Sequence, residues 1–240
     1  MASLHVPYGI RRFVDRARKE GVGPAAATTA RRLRDRPLYT VRYRLDDARD
    51  KRLTGVSLEQ CVAAVSEGAI DTISTPYGTL EQVLGRERFS AYDVLLDVGC
   101  GVGRPLAYLA GKRFPGRLVG IELNPQVAQA AQQWAVRYGN VSIVEGDAFQ
   151  HDLTPYTAFF MWKAMVPDVF RRFILKLEAE VQHPVRVFYV GDQDDGDFMI
   201  GRPGWELRRR DWVSRVRGLP MHAVPTRFSC WVFDPAQARR

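Results

Sequence analysis

The sequence has few cysteines and few histidines, three and four in 240 residues. Cys61, Cys100 and Cys230 are odd in number and far apart, which matches neither a disulfide framework nor a zinc-ligand spacing. The sequence also lacks a run of about 18 apolar residues, so we expect no membrane span. Its N-terminal stretch lacks the apolar core and cleavage site of a secretory signal. A reducing cytoplasm is therefore the expected compartment.

Charge is distributed unevenly along the chain. The net charge is +8, and residues 1–52 hold 14 Lys and Arg against 6 Asp and Glu, so the whole excess lies there. Such a basic segment indicates either contact with nucleic acid or another polyanion, or a solvated helical appendage. Arginine outnumbers lysine 30 to five. This is typical of a GC-rich genome, in which arginine fills ordinary surface positions, and it favours the appendage.

The length suits one large domain, alone or with an appendage. We expect residues 1–55 to form a basic, mainly helical N-terminal extension that borders the cleft, and residues 56–240 to form the main domain. Within the extension, Pro37 is predicted to end a helix, because an interior proline removes a hydrogen bond and clashes with the preceding turn. Residues 38–45 then predict a short strand or extended link, and residues 46–51 a charged loop.

The main domain begins with a predicted helix over residues 56–69, which Ser57 would cap. A Thr-Pro-Tyr turn over residues 75–77 follows, and a second helical stretch extends from residue 79 to residue 88. Near the other end of the chain, residues 205–213 and 226–233 are predicted to form an antiparallel closing pair of strands.

The most informative stretch is Val94–Leu106. An apolar run meets Asp97, and the chain then turns through three glycines at alternate positions, Gly99, Gly101 and Gly103. This pattern predicts a buried parallel strand, a tight turn and a helix whose free N–H groups face the turn. Dinucleotide sites need G-x-G-x-x-G, but Arg104 and Pro105 occupy the positions of small residues. A nucleoside site is favoured over a dinucleotide site, and a simple tight turn remains an alternative.

Two later acids occupy equivalent positions. Glu122 ends a second apolar run, Asp147 follows a third, and successive acids from Asp97 onward are 25 residues apart. This interval holds one turn, one helix and one strand, which predicts repeated βαβ units. Ligands bind at the carboxyl ends of the strands in such sheets. The second acid could accept hydrogen bonds from both ribose hydroxyls, and the third from an adenine amine.

The motifs LDVGCGVG, GIELNP and EGDAF together resemble those of class I S-adenosylmethionine (SAM)-dependent methyltransferases, over residues 93 to about 160. The resemblance implies an α/β, Rossmann-like, doubly wound and mostly parallel seven-stranded sheet with an antiparallel closing strand. It also implies SAM as cofactor and S-adenosylhomocysteine as product. The Thr-Pro-Tyr turn loosely resembles one found in Dot1-like lysine methyltransferases.

The resemblance also implies a set of cofactor contacts. Asp97 and the glycine turn would face the methionine part of SAM, Glu122 would hold the ribose, and Asp147 would hold the adenine edge. The full set of predicted cofactor-binding residues is Thr75, Tyr77, Asp97, Gly99, Cys100, Gly101, Gly103, Glu122, Leu123, Asp147, Ala148, Phe149 and Met161.

The acceptor side of the site is less defined by sequence. The predicted fourth strand, residues 157–162, leads into Trp-Lys-Ala, where many N-methyltransferases carry Asn-Pro-Pro-aromatic, so methylation of amines or bases by that device is in doubt. Lys163 is a candidate to contact a substrate carboxylate or phenolate, or is a surface lysine. His151, which follows the adenine motif, is the candidate general base. His222 lies between the last strands without a motif.

An acidic turn, Gly191–Asp197, follows the fifth predicted strand and carries four aspartates. It predicts either a site for a cationic substrate or divalent ion, or an exposed acidic loop. No metal-ligand spacing occurs elsewhere in the sequence.

The predicted function is transfer of a methyl group from SAM to an oxygen or nitrogen of a small-molecule acceptor, such as a natural product. Two alternatives remain. One is an RNA or protein methyltransferase that holds its substrate with the basic N-terminal segment. The other is a SAM-binding enzyme without methyl transfer.

Overall fold

The computed structural model describes residues 17–18, 21–59, 61–62 and 72–238. Its longer elements are one N-terminal helix, a seven-stranded sheet and the helices that flank the sheet. In chain order the elements are α1 (Val22–Thr54), β1 (Cys61–Val62), β2 (Thr72–Ile73), α2 (Tyr77–Leu84), β3 (Val94–Val98), α3 (Arg104–Gly111), β4 (Arg117–Glu122), α4 (Pro125–Ala135), β5 (Val141–Glu145), β6 (Ala158–Trp162), α5 (Pro167–Glu180), β7 (Val185–Val190), a 3₁₀ turn (Gly196–Met199), β8 (Trp205–Val213), β9 (Arg215–Val216), β10 (Leu219–Pro220), β11 (Thr226–Phe233) and α6 (Pro235–Ala238).

The seven strands are ordered β5-β4-β3-β6-β7-β11-β8. The first five pair in parallel, and β11 runs antiparallel to both β7 and β8. The order reverses between β3 and β6, and a crevice forms at such a point above the carboxyl ends of the strands. The prediction of a Rossmann-like, doubly wound sheet with an antiparallel closing strand is confirmed.

Both faces of the sheet are covered by apolar side chains, which explains why the central strands are apolar throughout. One face packs against α2, α3 and α4, where Leu80, Leu106 and Trp134 are buried. The other face packs against α5, through Phe173 and Leu177. Each fully buried side chain of this size contributes about 1.5–3 kcal/mol relative to an exposed one.

The N-terminal extension differs from its prediction. The helix α1 continues through Pro37 to Thr54, so the predicted break, strand and loop are wrong. Its buried face is polar, with buried charged residues at intervals of four or seven: Asp35, Arg42, Asp46 and Asp50. Because hydrophobic periodicity does not detect a charged inner face, the sequence did not predict this helix. Although α1 has 33 residues, no helix in the described ranges is long and apolar enough to cross a membrane.

The segment after α1 also differs. Residues 57–59 are not helical, and β1 pairs antiparallel with β2. The helix predicted over residues 56–69 is therefore wrong for residues 56–59 and 61–62, and the rest of it lies outside the described residues. The division of the chain at residues 55 and 56 stays a prediction.

A buried ion pair joins α1 to the main domain. Asp50 and Arg104 have side chains that are both 0% exposed, and two hydrogen bonds of 2.6 and 3.0 Å join their carboxylate and guanidinium. The carboxylate also accepts from Tyr77 Oη at 2.8 Å and from the backbone N–H of Leu58 at 3.0 Å. The guanidinium also contacts Glu59 at 2.9 Å. This network connects α1 to the first residues of both α2 and α3.

We expect Asp50→Ala to lower the free energy of unfolding by about 3–5 kcal/mol, because it removes the fully buried partner of Arg104 and leaves only the partly exposed Glu59 to pair with that charge. Urea unfolding followed by circular dichroism measures the change. Asp47→Ala is the matched control, since Asp47 lies on the same helix in an exposed pair with Lys51, and such pairs contribute about 0–1 kcal/mol.

The double variant Asp50→Leu/Arg104→Met should recover part of the loss, because it removes both charges together. Equal losses in Asp50→Ala and Asp47→Ala would contradict the role given to the buried pair.

Candidate active site

The carboxyl ends of the parallel strands bring the sequence-predicted motifs together. In the turn after β3, the three glycines have φ angles of +68°, +55° and +82°. A Cβ at Gly99 would lie 2.7 Å from the Ala164 Cβ, and one at Gly103 would lie 2.7 Å from Trp134 Cζ2. Glycine is thus required by backbone conformation and by close packing.

Glu122 is the last residue of β4, and its side chain contacts the glycine turn that follows β3. Its carboxylate, 6% exposed, accepts hydrogen bonds from the backbone N–H groups of Gly101, at 2.8 Å, and Asn124, at 2.9 Å. The N–H groups of Gly99 and Cys100 donate to the carbonyl oxygen of Ile121. The turn is therefore held against β4, with one carboxylate oriented by backbone donors.

Asp97 is the second acid at this edge. Its Oδ2 is buried and has no hydrogen-bond partner among the residues described. Burial, and secondarily the neighbouring Glu122, raise the pKa of Asp97 well above its usual value. An unpartnered buried carboxyl group next to a second acid fits a positively charged ligand, because such a ligand would offset both effects.

The third acid, Asp147, follows β5 and is half-buried. Its Oδ1 accepts a hydrogen bond of 2.9 Å from the backbone N–H of Phe149. The three acids thus lie at or just beyond the carboxyl ends of three neighbouring strands, as their spacing predicted.

Comparison with known proteins supports the assignment of the activity. Residues 96–160, which begin within β3, end within β6 and include all three acids, match the family model of a methyltransferase domain. The chain has the activity of a SAM-dependent methyltransferase, and over these residues it resembles the class I enzymes. Its cofactor is SAM, and its fold and sheet order agree with this family.

The methyltransferase resembles proteins with different acceptors. It is 28% identical over 118 residues to a protein-lysine N-methyltransferase of Saccharolobus islandicus (strain REY15A), covering 48% of this chain and 72% of that protein. An RNA methyltransferase from Salinibacter ruber, solved with S-adenosylhomocysteine, has a TM-score of 0.52 at 22% identity, over 68% of this chain and 94% of that one. The StiE O-MT structure has a TM-score of 0.52 at 13% identity, over 66% and 74%. The two structures share the fold, and the acceptor type varies among these proteins.

The two central acids of the predicted cofactor-binding set fit the positive charges of SAM. SAM carries an ammonium and a sulfonium, and Asp97 and Glu122 supply negative charge beside the glycine turn. Of the apolar members, Cys100 and Ala148 are buried, while Leu123 is 39% exposed. Met161 belongs to the core beneath α5, and the Phe149 ring packs edge-on against Phe173 of that helix. The individual cofactor contacts stay predictions.

Thr75 and Tyr77 lie in the network beside α1. Both are buried, the Thr75 carbonyl accepts from Arg104 at 3.5 Å, and the Tyr77 hydroxyl donates to Asp50. Burial, with the negative charge of Asp50 as a smaller cause, raises the pKa of Tyr77. The described contacts of this turn thus stabilise the junction of α1 with the site.

Lys163 follows β6 with a positive φ of 40°, and its ammonium pairs with Asp194 of the acidic turn. Arginines and a tyrosine contact the other carboxylates: Asp192 and Asp197 pair with Arg210 and Arg227, and Asp195 accepts from Tyr189. The turn is therefore an internal ion-pair network. The prediction of an exposed loop is wrong for Asp192 and Asp195, which are 0% and 4% exposed. Within the described ranges, no cluster of three or more acids, cysteines or histidines could hold a metal.

His151 lies away from the carboxyl ends of the strands. Its Nε2 is 2.6 Å from the hydroxyl of Tyr156. Because Tyr156 comes two residues before the start of β6, this contact lies toward the amino ends of the strands, at the opposite edge of the sheet. The general-base role of His151 stays a prediction, and it has no part in the function proposed below.

His222 is the functional candidate that the sequence missed. Its ring packs edge-on against Trp162, the last residue of β6, with 5.6 Å between centroids. Its Nε2 is 2.8 Å from Oγ1 of Thr79, a fully buried residue in the first turn of α2. Burial, and to a smaller extent the guanidinium of Arg42, lower the pKa of His222 to about 4, so the imidazole is neutral near pH 7. No motif surrounds this histidine, because its neighbours come from distant segments.

This pKa predicts an acid-dependent loss of stability. The folded pKa of about 4 is below the ordinary value of 6.5, so the unfolded chain binds a proton first as the pH falls. The stabilisation is complete above pH 6.5 and is lost between pH 6.5 and about 4, amounting to about 3 kcal/mol. We expect His222→Gln to lack this component.

Urea unfolding of the wild type and of His222→Gln, at intervals between pH 7 and pH 4, measures this pH-dependent stabilisation. The other titrating groups are the same in the two proteins, so the difference between their stability curves belongs to His222. Parallel stability curves for the wild type and His222→Gln would contradict the assignment.

Proposed function

We propose that this methyltransferase transfers a methyl group from SAM to an oxygen or nitrogen of a small-molecule acceptor. The observation that supports the proposal is that α1 lies against the residue that follows the glycine turn, through Asp50 and Arg104, and also reaches the β9–β10 hairpin. Arg42 and Asp46 form an ion pair there with side chains only 5% and 8% exposed. Farther along the helix, Asp35 pairs with Arg215 of the β9–β10 hairpin. A compact acceptor suits such enclosed and largely buried polar surroundings.

The proposed SAM site lies over the glycine turn. Asp97 and the turn would bind the methionine part, Glu122 the ribose hydroxyls, and Asp147 with Ala148 the adenine edge. SAM supplies a methyl group already activated on a sulfonium. The protein therefore has to align the acceptor with that group and exclude water, which requires little covalent chemistry by its own residues.

A macromolecular acceptor is the second candidate, and two observations favour it. The similar protein from Saccharolobus islandicus is a protein-lysine methyltransferase. The outer face of α1 also carries exposed arginines that could hold a polyanion: Arg31, Arg34, Arg36, Arg44 and Arg52. This candidate predicts acceptor binding that weakens steeply with added salt.

We expect the purified chain to bind SAM and S-adenosylhomocysteine with micromolar dissociation constants in calorimetric titrations. Glu122→Ala should weaken both by at least about tenfold, because a bidentate contact to the ribose hydroxyls is lost. Glu206→Ala is the control, since Glu206 is an exposed acid of β8 with Arg208 as its partner.

Unchanged affinity in Glu122→Ala would contradict the proposed ribose contact. Absence of binding by both ligands would contradict the proposed site.

A screen for S-adenosylhomocysteine formation then compares phenols, amines and carboxylic acids with RNA and protein fractions. Turnover of small molecules that is insensitive to salt supports the first candidate. Salt-sensitive turnover of RNA or protein alone overturns it.

A further inference from the structure

A cavity of about 280 Å³ lies between the end of α2 and the end of α3. Its lining comes from residues 84–89 and 108–115, the two segments that lead into β3 and β4. The cavity therefore lies toward the amino ends of these strands, at the opposite edge of the sheet from the glycine turn. The helix α3 begins at that turn and ends at the cavity, so about 12 Å of helix separates the two places.

The inner wall of the cavity is aromatic and aliphatic. Leu84, Tyr108, Leu109 and Phe114 are buried there. The half-buried ring of Phe89 packs against Phe114, with 4.8 Å between the ring centroids. An apolar cavity of about 150 Å³ is large enough to hold benzene. The wall and the volume together fit a single aromatic ring with a short side arm.

The rim of the cavity is positively charged. Lys112 and Arg113 line it, and both are exposed. The Lys112 ammonium lies 5.9 Å from the centroid of the Tyr108 ring, and neither cation pairs with a carboxylate among the described residues. The one acid among the described lining residues, Glu87, is 3.4 Å from the guanidinium of Arg209. The rim therefore lacks the negative charge that would balance its two cations.

Arg113 has a backbone conformation that arginine rarely adopts. Its φ of +58° lies in the left-handed region that glycine favours. The N–H groups of Arg113 and Phe114 donate to the carbonyl oxygens of Ala110 and Leu109, at 2.9 and 3.0 Å, which closes α3 with a Schellman motif. Glycine would close the helix in the same way with less strain, so the backbone of this helix end does not call for an arginine. Unfavourable conformations of this kind cluster at ligand-binding positions.

We propose that this cavity binds a small aromatic carboxylate, with its ring against Phe89 and Phe114 and its carboxylate at Lys112 and Arg113. A guanidinium matches a carboxylate with two parallel hydrogen bonds, and the lysine ammonium supplies further donors. A neutral ring compound would leave the two cations unpaired, and a carboxylate without a ring would leave the apolar wall in contact with water. The ligand therefore needs both parts. This site goes beyond the proposed methyl transfer and does not depend on it.

Nuclear magnetic resonance titration of the full chain with phenylacetate tests the site. We expect a dissociation constant of about 1 mM or lower. Phenylacetamide lacks the charge and acetate lacks the ring, and each should bind at least about tenfold more weakly, because one charge-assisted contact or the ring burial is lost. Absence of phenylacetate binding, or equal binding of phenylacetate and phenylacetamide, overturns the proposal.

The variant Arg113→Gly separates ligand binding from folding. Glycine relieves the left-handed backbone, so the Tm should stay the same or rise, whereas phenylacetate affinity should fall about tenfold with the loss of the guanidinium. Lys112→Gln should also weaken binding without unfolding the chain. Arg217→Gly is the matched control, because Arg217 also has a positive φ, of 51°, and its guanidinium pairs with Glu81 outside the cavity. Unchanged affinity in both cavity variants overturns the assignment.

Nuclear Overhauser contacts show at which edge of the sheet phenylacetate binds. We expect contacts from its ring protons to the rings of Phe89 and Phe114, both in the free chain and in the chain saturated with S-adenosylhomocysteine. The affinity should agree within twofold between these two states. Contacts to Trp162 or Ala164 in place of the two phenylalanines would put the ligand beside the glycine turn, as an acceptor, and would overturn the second site.

Discussion

The ion pair between Asp50 and Arg104 connects the parts of this molecule that must act together. Arg104 directly follows the glycine turn, and Asp50 belongs to a helix that precedes the main domain in the chain. Both charges are removed from water, so each depends on the other and on the groups that complete their hydrogen bonds. A buried pair of this kind adds less to stability than to the choice of one geometry. Here that geometry sets where α1 lies relative to the glycine turn.

Two side chains near the carboxyl edge of the sheet, Asp97 and His222, have pKa values that are shifted in opposite directions. Near the glycine turn, Asp97 and Glu122 create a buried acidic site, and the pKa of Asp97 rises accordingly. Near the end of β6, burial and to a smaller extent the charge of Arg42 lower the pKa of His222 to about 4. The acidic end fits the positively charged cofactor.

The internal ion pairs also change the interpretation of charge in this chain. The aspartates after β7 and the acids of α1 face arginines of the protein itself. The charged residues counted along the sequence therefore include many that form ion pairs inside the folded protein, as well as those on its surface. The excess of arginine over lysine agrees with this use, because the planar guanidinium satisfies carboxylates with two parallel hydrogen bonds.

The α/β architecture and the cofactor edge could be predicted because they depend on local signals. Alternating glycines, apolar runs that end in acids and a spacing of 25 residues each follow from one βαβ unit. The course of α1 could not be predicted, because its buried face is charged and its proline is tolerated in an exposed turn of a helix held by tertiary ion pairs.

The sequence by itself determined the sheet, the glycine turn and the positions of the three acids at its edge, since each is encoded within a few consecutive residues. Only the tertiary structure brought Thr79 and Trp162 against His222. These three residues lie on three separate segments, and no local pattern links them. The lowered pKa of that histidine also comes from the folded structure, chiefly through burial, since the pKa of an imidazole depends on its surroundings in space.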